Sequence, residues 1–268
     1  MYTAADAKLS FSLAANPGEA GWQKWVDAMR AISRLPGGIP DQFRRKLWVG
    51  LAENYLSSNR INWSTVVKTA FNEKINPDDS ALGQQIIKDL HRSRFSSNSF
   101  MSSETDAESE RALLKRVLLA YARWNKQVGY CQGFNVLATV ILDTVERNEN
   151  DALKVMIYLI DHVLPNNYFS NRLRLLAVDL AVFRHLLACN YPQLSQHLDN
   201  LQKQATSTDD GIFYEPPLTN VFLMQWLLTL YATCLPQPAL LRFWDCLLLN
   251  GSDALLSAGL HIFQKLSK

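Results

Sequence analysis

Two short stretches hold residue types that could do chemistry together. The first is Gly129-Tyr130-Cys131-Gln132-Gly133-Phe134-Asn135, a polar loop pinned between two strongly helical segments. Loops held this way present side chains to partners. Gln132 carries both an acceptor oxygen and a donor NH₂. A second reading is equally open: Tyr130 is a hydrogen-bonded core residue, Gly133 closes the loop and Gln132 caps the next helix. The other stretch is Ile86-Ile87-Lys88-Asp89-Leu90-His91-Arg92. Ile86, Asp89 and Arg92 recur every three residues and share one helical flank. An apolar anchor, a carboxylate and a terminal arginine could aim a guanidinium. On this pattern alone, an ordinary ion pair on an amphipathic helix is the stronger reading.

Other chemistries find less support. Cys131 lies in the glycine-bracketed loop, so a cysteine hydrolase is a third possibility. Yet none of the five histidines (His91, His162, His185, His197, His261) stands in a recognisable context beside a nucleophile. A phosphate cradle would need GxxxxGK[ST], which is absent. No closely spaced carboxylates or histidines suggest a metal site, so none is expected. The four cysteines, Cys131, Cys189, Cys234 and Cys246, form no CxxC pair and read as reduced thiols of a cytoplasmic protein.

Helices must position these residues. Apolar positions recur at three- and four-residue spacing from Gly21 to Leu35, through Trp22, Trp25, Val26, Met29 and Ile32. Ile39-Pro40-Asp41 opens a second helix carrying Trp48. Short helices are predicted over Trp63–Phe71 and Ala81–Arg92, separated by a turn at Asn76-Pro77-Asp78-Asp79. Ser93–Glu104 is serine-rich and reads as a flexible loop. Thr105-Asp106-Ala107-Glu108 has the capping-box pattern and starts a helix running to about Lys126. Further helices are predicted over Phe134–Val145, Ala152–Leu164, Leu173–Cys189, Val221–Cys234, Pro238–Asn250 and Ala254–Leu266. Lys203–Gly211 reads as a second polar loop. No βαβ rhythm or solenoid repeat appears, so the chain is expected to be all-α and not a simple bundle, with about a dozen helices. Residues 1–20 read as a leader or arm and 21–268 as a single domain.

The chain has 268 residues, 27 basic and 25 acidic, with a net charge of +2. This balance argues against nucleic acid as the default partner. The most apolar run, Val221–Leu235, is about 15 residues against the roughly 20 a membrane span needs, and Gln225 interrupts it. It reads as a buried helix, with no integral membrane segment expected.

Together with three further stretches, these motifs resemble the TBC-domain GTPase-activating proteins for Rab GTPases. The Ile86–Asp89–Arg92 and Tyr130–Gln132 patterns match the family's I-x-x-D-x-x-R and Y-x-Q motifs in order. Gly38-Ile39-Pro40 with Arg44 and Trp48 looks like its opening G-I-P-x-x-x-R-x-x-x-W. Trp226 looks like its tryptophan helix. Arg242-Phe243-Trp244-Asp245 with Gly251 looks like its late R-x-W-D…G motif. The match runs from about Gly38 to the chain end, where the family's final helices are expected to continue past Lys268. Ser93 stands where the family usually has threonine.

The resemblance implies a V-shaped, multi-helix TBC-type domain that accelerates GTP hydrolysis in trans. Arg92 would be the arginine finger and Gln132 the glutamine finger. Ile86, Asp89, Tyr130 and Gly133 would support them. Arg44, Trp48, Trp226, Arg242, Trp244 and Asp245 would be mainly architectural. It implies no cofactor of the domain's own, since GTP and magnesium come with a Rab-family partner. It also implies a cytoplasmic protein recruited to membranes through that Rab or through flanking regions. The rival from another class is a catalytically silent TBC-fold module that binds a small GTPase or an effector.

Overall fold

The computed structural model describes residues 19–72, 81–92, 104–170, 173–206 and 217–267. It is built from helices, with no strand among the described residues. In order they are α1 (Glu19–Ser33), α2 (Asp41–Ser58), α3 (Trp63–Ala70), α4 (Ala81–Arg92), α5 (Glu104–Trp124), α6 (Phe134–Thr144) and α7 (Glu149–Tyr158). A π-helical turn, Leu159–Val163, extends α7. Then come α8 (Arg174–Asn190), α9 (Pro192–Thr206), α10 (Leu218–Leu228), α11 (Gln237–Asn250) and α12 (Asp253–Leu266).

The sequence makes α7 the axis of the first half. Ala152, Leu153, Val155, Met156, Ile157 and Tyr158 are all buried, so the later turns of this helix are apolar around most of their circumference and must be surrounded. It packs against α2, α5 and α6. Its start is set by Asn148, whose side-chain oxygen accepts from the Asp151 amide at 3.0 Å. Asn62 caps α3 in the same way, through the Thr65 amide. Helix α4 lies on α5 and α6 and buries Ile86 and Leu90.

In the second half, α8 contacts α9, α10 and α12. Helix α11 packs on α1 and α2 and also contacts α12, so it joins the two halves. Between them opens a cleft of about 890 Å³, walled by α6 on one side and by α10 and the start of α11 on the other.

Several sequence expectations need correction. Helix α9 was not foreseen. Its apolar positions Leu194, Leu198 and Leu201 follow helical spacing but are sparse among glutamines and asparagines, and α9 runs into the first residues of the supposed loop 203–211. The apolar run from Val221 is not one long helix and is only partly buried: Leu223, Leu227, Leu230 and Tyr231 are inside. Helix α10 stops at Leu228, and Thr229-Leu230-Tyr231 turns back with Leu230 and Tyr231 at positive φ. Val221, Phe222 and Met224 are exposed. Because α10 is apolar on every side, periodicity could not distinguish its inner from its outer face. Helix α5 begins at Glu104, one residue before the capping box, and ends at Trp124. Residues 1–18 of the expected leader (1–20) lie outside the described residues, while Glu19 and Ala20 already belong to α1; the Asn76–Asp79 turn and the serine-rich loop from Ser93 also lie outside them. No described helix is long and apolar enough to cross a membrane.

Candidate functional site

The Gln132 loop is built around two glycines that no other residue could replace without strain. Gly129 and Gly133 have φ of +63° and +103°. Each also touches a neighbouring helix. A Cβ on Gly129 would lie 3.1 Å from Leu82 of α4, and one on Gly133 would lie 3.4 Å from the Leu228 carbonyl at the end of α10. The Phe134 amide donates to the Cys131 carbonyl at 3.0 Å and closes a tight turn around Gln132. Gly133 is the N-cap of α6 and the helix has no side-chain cap, so Gln132 does not cap it.

The rest of the loop is fixed from below. Tyr130 stacks edge-on against Phe134, which stacks edge-on against Phe169. The Tyr130 hydroxyl donates to Asp89 Oδ2 at 2.9 Å. Burial, together with that carboxylate, pushes the Tyr130 phenol far above its ordinary range, so it stays a donor. Asp89 is itself buried, one turn before Arg92 closes α4. A single hydrogen bond therefore ties the helix ending in Arg92 to the loop carrying Gln132, two elements 41 positions apart in the chain. The Arg92 side chain lies outside the described residues, and with it any ion pair from Arg92 to Asp89.

Gln132 differs from its neighbours. Its side chain is exposed, lines the cleft beside Asp89 and Asn135, and makes no hydrogen bond to a described residue. Cys131 also lines the cleft, but burial pushes its thiol up to about 11, which leaves it protonated at neutral pH. A nucleophile needs the opposite shift, so the hydrolase reading loses its chemical basis.

The remaining motif residues form a separate, closed knot. Arg44 Nε lies 3.1 and 3.0 Å from the two Asp245 oxygens, and Arg44 also donates to the Ile39 carbonyl at 2.9 Å. Trp48 Nε1 donates to Asp245 Oδ1 at 2.8 Å. Burial raises the Asp245 carboxyl to about 6, held down in turn by Arg44 and Trp48. Trp244 packs 5.7 Å from Trp48 and donates to the Leu230 carbonyl. Arg242 donates to the Leu35 carbonyl and passes so close to Gly38 that a Cβ there would lie 3.0 Å from its Nε. Trp226 stands apart from both groups, packed against Tyr231 and Phe263.

This partition and the all-helical fold fit one assignment, and residues 41–268 match the Rab-GTPase-TBC domain. The chain belongs to the Rab-GTPase-TBC family. The domain is 55% identical to mouse TBC1 domain family member 30 over 98% of this chain and 34% of the mouse protein. The human protein of that name is also 55% identical, with 28% of its length covered. Human small G protein signaling modulator 3 is 29% identical over 93% of this chain and 31% of its own length. The chain thus spans about a third of these relatives. Among solved structures, the Chlamydomonas flagellar RabGAP TBC domain superposes with a TM-score of 0.66 at 22% identity, covering 94% of this chain and 73% of that one. The Ypt/Rab-GAP domain of Gyp1p superposes with a TM-score of 0.65 at 16% identity, covering 96% of this chain and 82% of that one. Membership of this family supports a GTPase-activating function in general, with small GTPases of the Rab class as the general partners.

Sequence reasoning missed two features, one in the wall of the cleft and one outside its lining. One is the cleft wall formed by the exposed face of α10. The other is Asp161, which accepts from the Tyr121 hydroxyl at 2.8 Å, Trp124 Nε1 at 2.7 Å and Asn125 Nδ2 at 3.0 Å. Its one available signal was a lone carboxylate in the apolar run Tyr158–Leu164.

Proposed function

We propose that this TBC domain accelerates GTP hydrolysis by a Rab-family GTPase, supplying Arg92 as an arginine finger and Gln132 as a glutamine finger in trans. The observation that carries the reading is the exposed Gln132 amide, bonded to no described residue, on an otherwise locked loop tied through Tyr130 and Asp89 to the helix ending in Arg92. Hydrolysis develops charge on the γ-phosphate and the bridging oxygen. A guanidinium meets it with a permanent charge and a planar fork of donors. The glutamine amide accepts from the attacking water while donating to the phosphate. GTP and its magnesium belong to the partner, and the domain needs no cofactor and turns over no nucleotide alone. Asp89 and Tyr130 position both fingers. Such a domain works in the cytoplasm in vesicle trafficking and meets membranes through its Rab.

The exposed apolar face of α10 beside the cleft supports a second reading, in which the domain binds a small GTPase or an effector without catalysis. Single-turnover GTP hydrolysis across a panel of Rab proteins separates the two. Arg92→Ala is expected to lose roughly 10³- to 10⁵-fold of the acceleration, about 4–7 kcal/mol, and Gln132→Ala most of it, each with an unchanged melting temperature. Normal acceleration by both variants would overturn the two-finger reading. Binding of a GTP-loaded Rab without acceleration by the unaltered domain would establish the silent module.

A further inference from the structure

We propose that Asp161 is a positioning residue for Gln132, holding the chain that delivers the glutamine loop to the cleft. The proposal rests on the reading of Gln132 as a finger. Asp161 lies in the π-helical turn that extends α7, the kind of local irregularity helices keep where a side chain must be re-aimed. Its carboxylate gathers three neutral donors, from Tyr121, Trp124 and Asn125, all on the last turn of α5 or just after it. No described cation pairs with it, whereas Asp245, Asp143 and Asp151 each pair with an arginine or lysine. Its role is therefore geometric: it fixes where α5 ends.

Asn125 passes that constraint onward. Its Oδ1 accepts from the Val128 amide at 3.1 Å, and its carbonyl accepts from the Gly129 amide at 2.7 Å. Gly129 is the first hinge of the Gln132 loop. The chain following Asp161 also holds the far end of the loop, because Phe169 stacks on Phe134 at 4.9 Å. One segment, residues 159–169, thus brackets Gln132 from both sides without touching it.

An asparagine at this position keeps the shape but turns an NH₂ toward donors that need an acceptor. Asp161→Asn is expected to lower kcat for GTPase activation roughly 10- to 100-fold, the scale of a 1 Å misplacement, with KM for the GTPase unchanged. The double variant Asp161→Asn/Gln132→Ala should be no slower than Gln132→Ala alone, since both remove the same contribution. Trp124→Phe, which deletes one of the three donors, should give a smaller loss of the same kind. In hydrogen exchange, the amides of Val128–Phe134 should open faster in Asp161→Asn while those of α11 stay unchanged. A lowered melting temperature with unchanged kcat, or a loss that multiplies with that of Gln132→Ala, would overturn the proposal. If the unaltered domain activates no GTPase, the finger reading fails, and exchange still decides the positioning: unchanged protection of Val128–Phe134 refutes it.

Discussion

The Arg44–Trp48–Asp245 knot and the Tyr130–Gln132 loop are built from similar residue types, yet they end in opposite states. In the knot every polar atom is answered. Arg44 and Asp245 are 4% and 1% exposed, and the tryptophan and guanidinium N–H groups converge on one carboxylate. In the loop the answering stops one residue short. Tyr130 is bonded to Asp89 and Gly133 is wedged against α10, but the exposed Gln132 amide between them faces the cleft with no hydrogen bond to a described residue. Burial with satisfied partners marks architecture. An exposed polar side chain on a backbone fixed at both glycines marks presentation, because its position is set by the fold and its hydrogen-bonding groups face the cleft.

The sharpest way to break this contrast is to remove one acceptor from each region. Asp245→Ala takes the buried carboxylate from the Trp48 N–H and from Arg44, which keeps only Asp41 and the Ile39 carbonyl, and should cost about 3–5 kcal/mol of stability, read from the denaturant midpoint. Gln132→Ala should change stability by no more than about 0.5 kcal/mol, because no bond is lost. Comparable stability losses at the two positions would show that the loop is as architectural as the knot. Next in size is the hinge. Gly133→Ala places a Cβ at φ +103° and 3.4 Å from the Leu228 carbonyl, and should cost about 1–3 kcal/mol together with much of the acceleration. Gly37→Ala is the control, since nothing lies within 4 Å of its Cβ position. Smaller again is Tyr130→Phe. It removes one donor from buried Asp89, for about 1–2 kcal/mol, and loosens the link between the two finger elements.

The same contrast explains what the sequence could and could not say. Helices such as α4 and α5 were legible because each has one apolar face against the core, and periodicity reports that directly. Helix α10 was misread as wholly buried because it is apolar on every side, and only packing decides that Leu223 and Leu227 face inward while Val221, Phe222 and Met224 face water. Helix α9 was missed because three leucines among polar residues resemble a loop until α8 and α10 are there to receive them. For the site, Asp89, Tyr130 and Gln132 were each visible as motif positions. The 2.9 Å bond that makes Asp89 and Tyr130 one device joins residues too distant in the chain for local pattern to show. Asp161 lay further out of reach, since its meaning is its three donors on α5, and no spacing rule encodes them.

The smallest expected effect concerns Cys131, the residue beside Gln132 that is part of the loop yet belongs chemically with the buried side. With its thiol raised to about 11, the thiolate fraction at pH 8 is only ~10⁻³. Alkylation should therefore be slow at neutral pH and should accelerate as pH climbs toward 11. Exposed Cys189, with His185 Nε2 3.6 Å from its sulfur, should react first. The sign for stability follows from the same shift. The unfolded thiol loses its proton near 9 and the folded one near 11, so the unfolded chain gains more from deprotonation. This thiol's contribution to stability should fade as pH rises through that window, with a matching effect from Cys234, whose thiol burial also raises to about 11. Mass-spectrometric mapping of labelled cysteines against pH reads the order directly. Preferential modification of Cys131 at pH 7.5 would place an activated nucleophile in the loop, and the line between the closed and the presented residues would have to be redrawn on the other side of it.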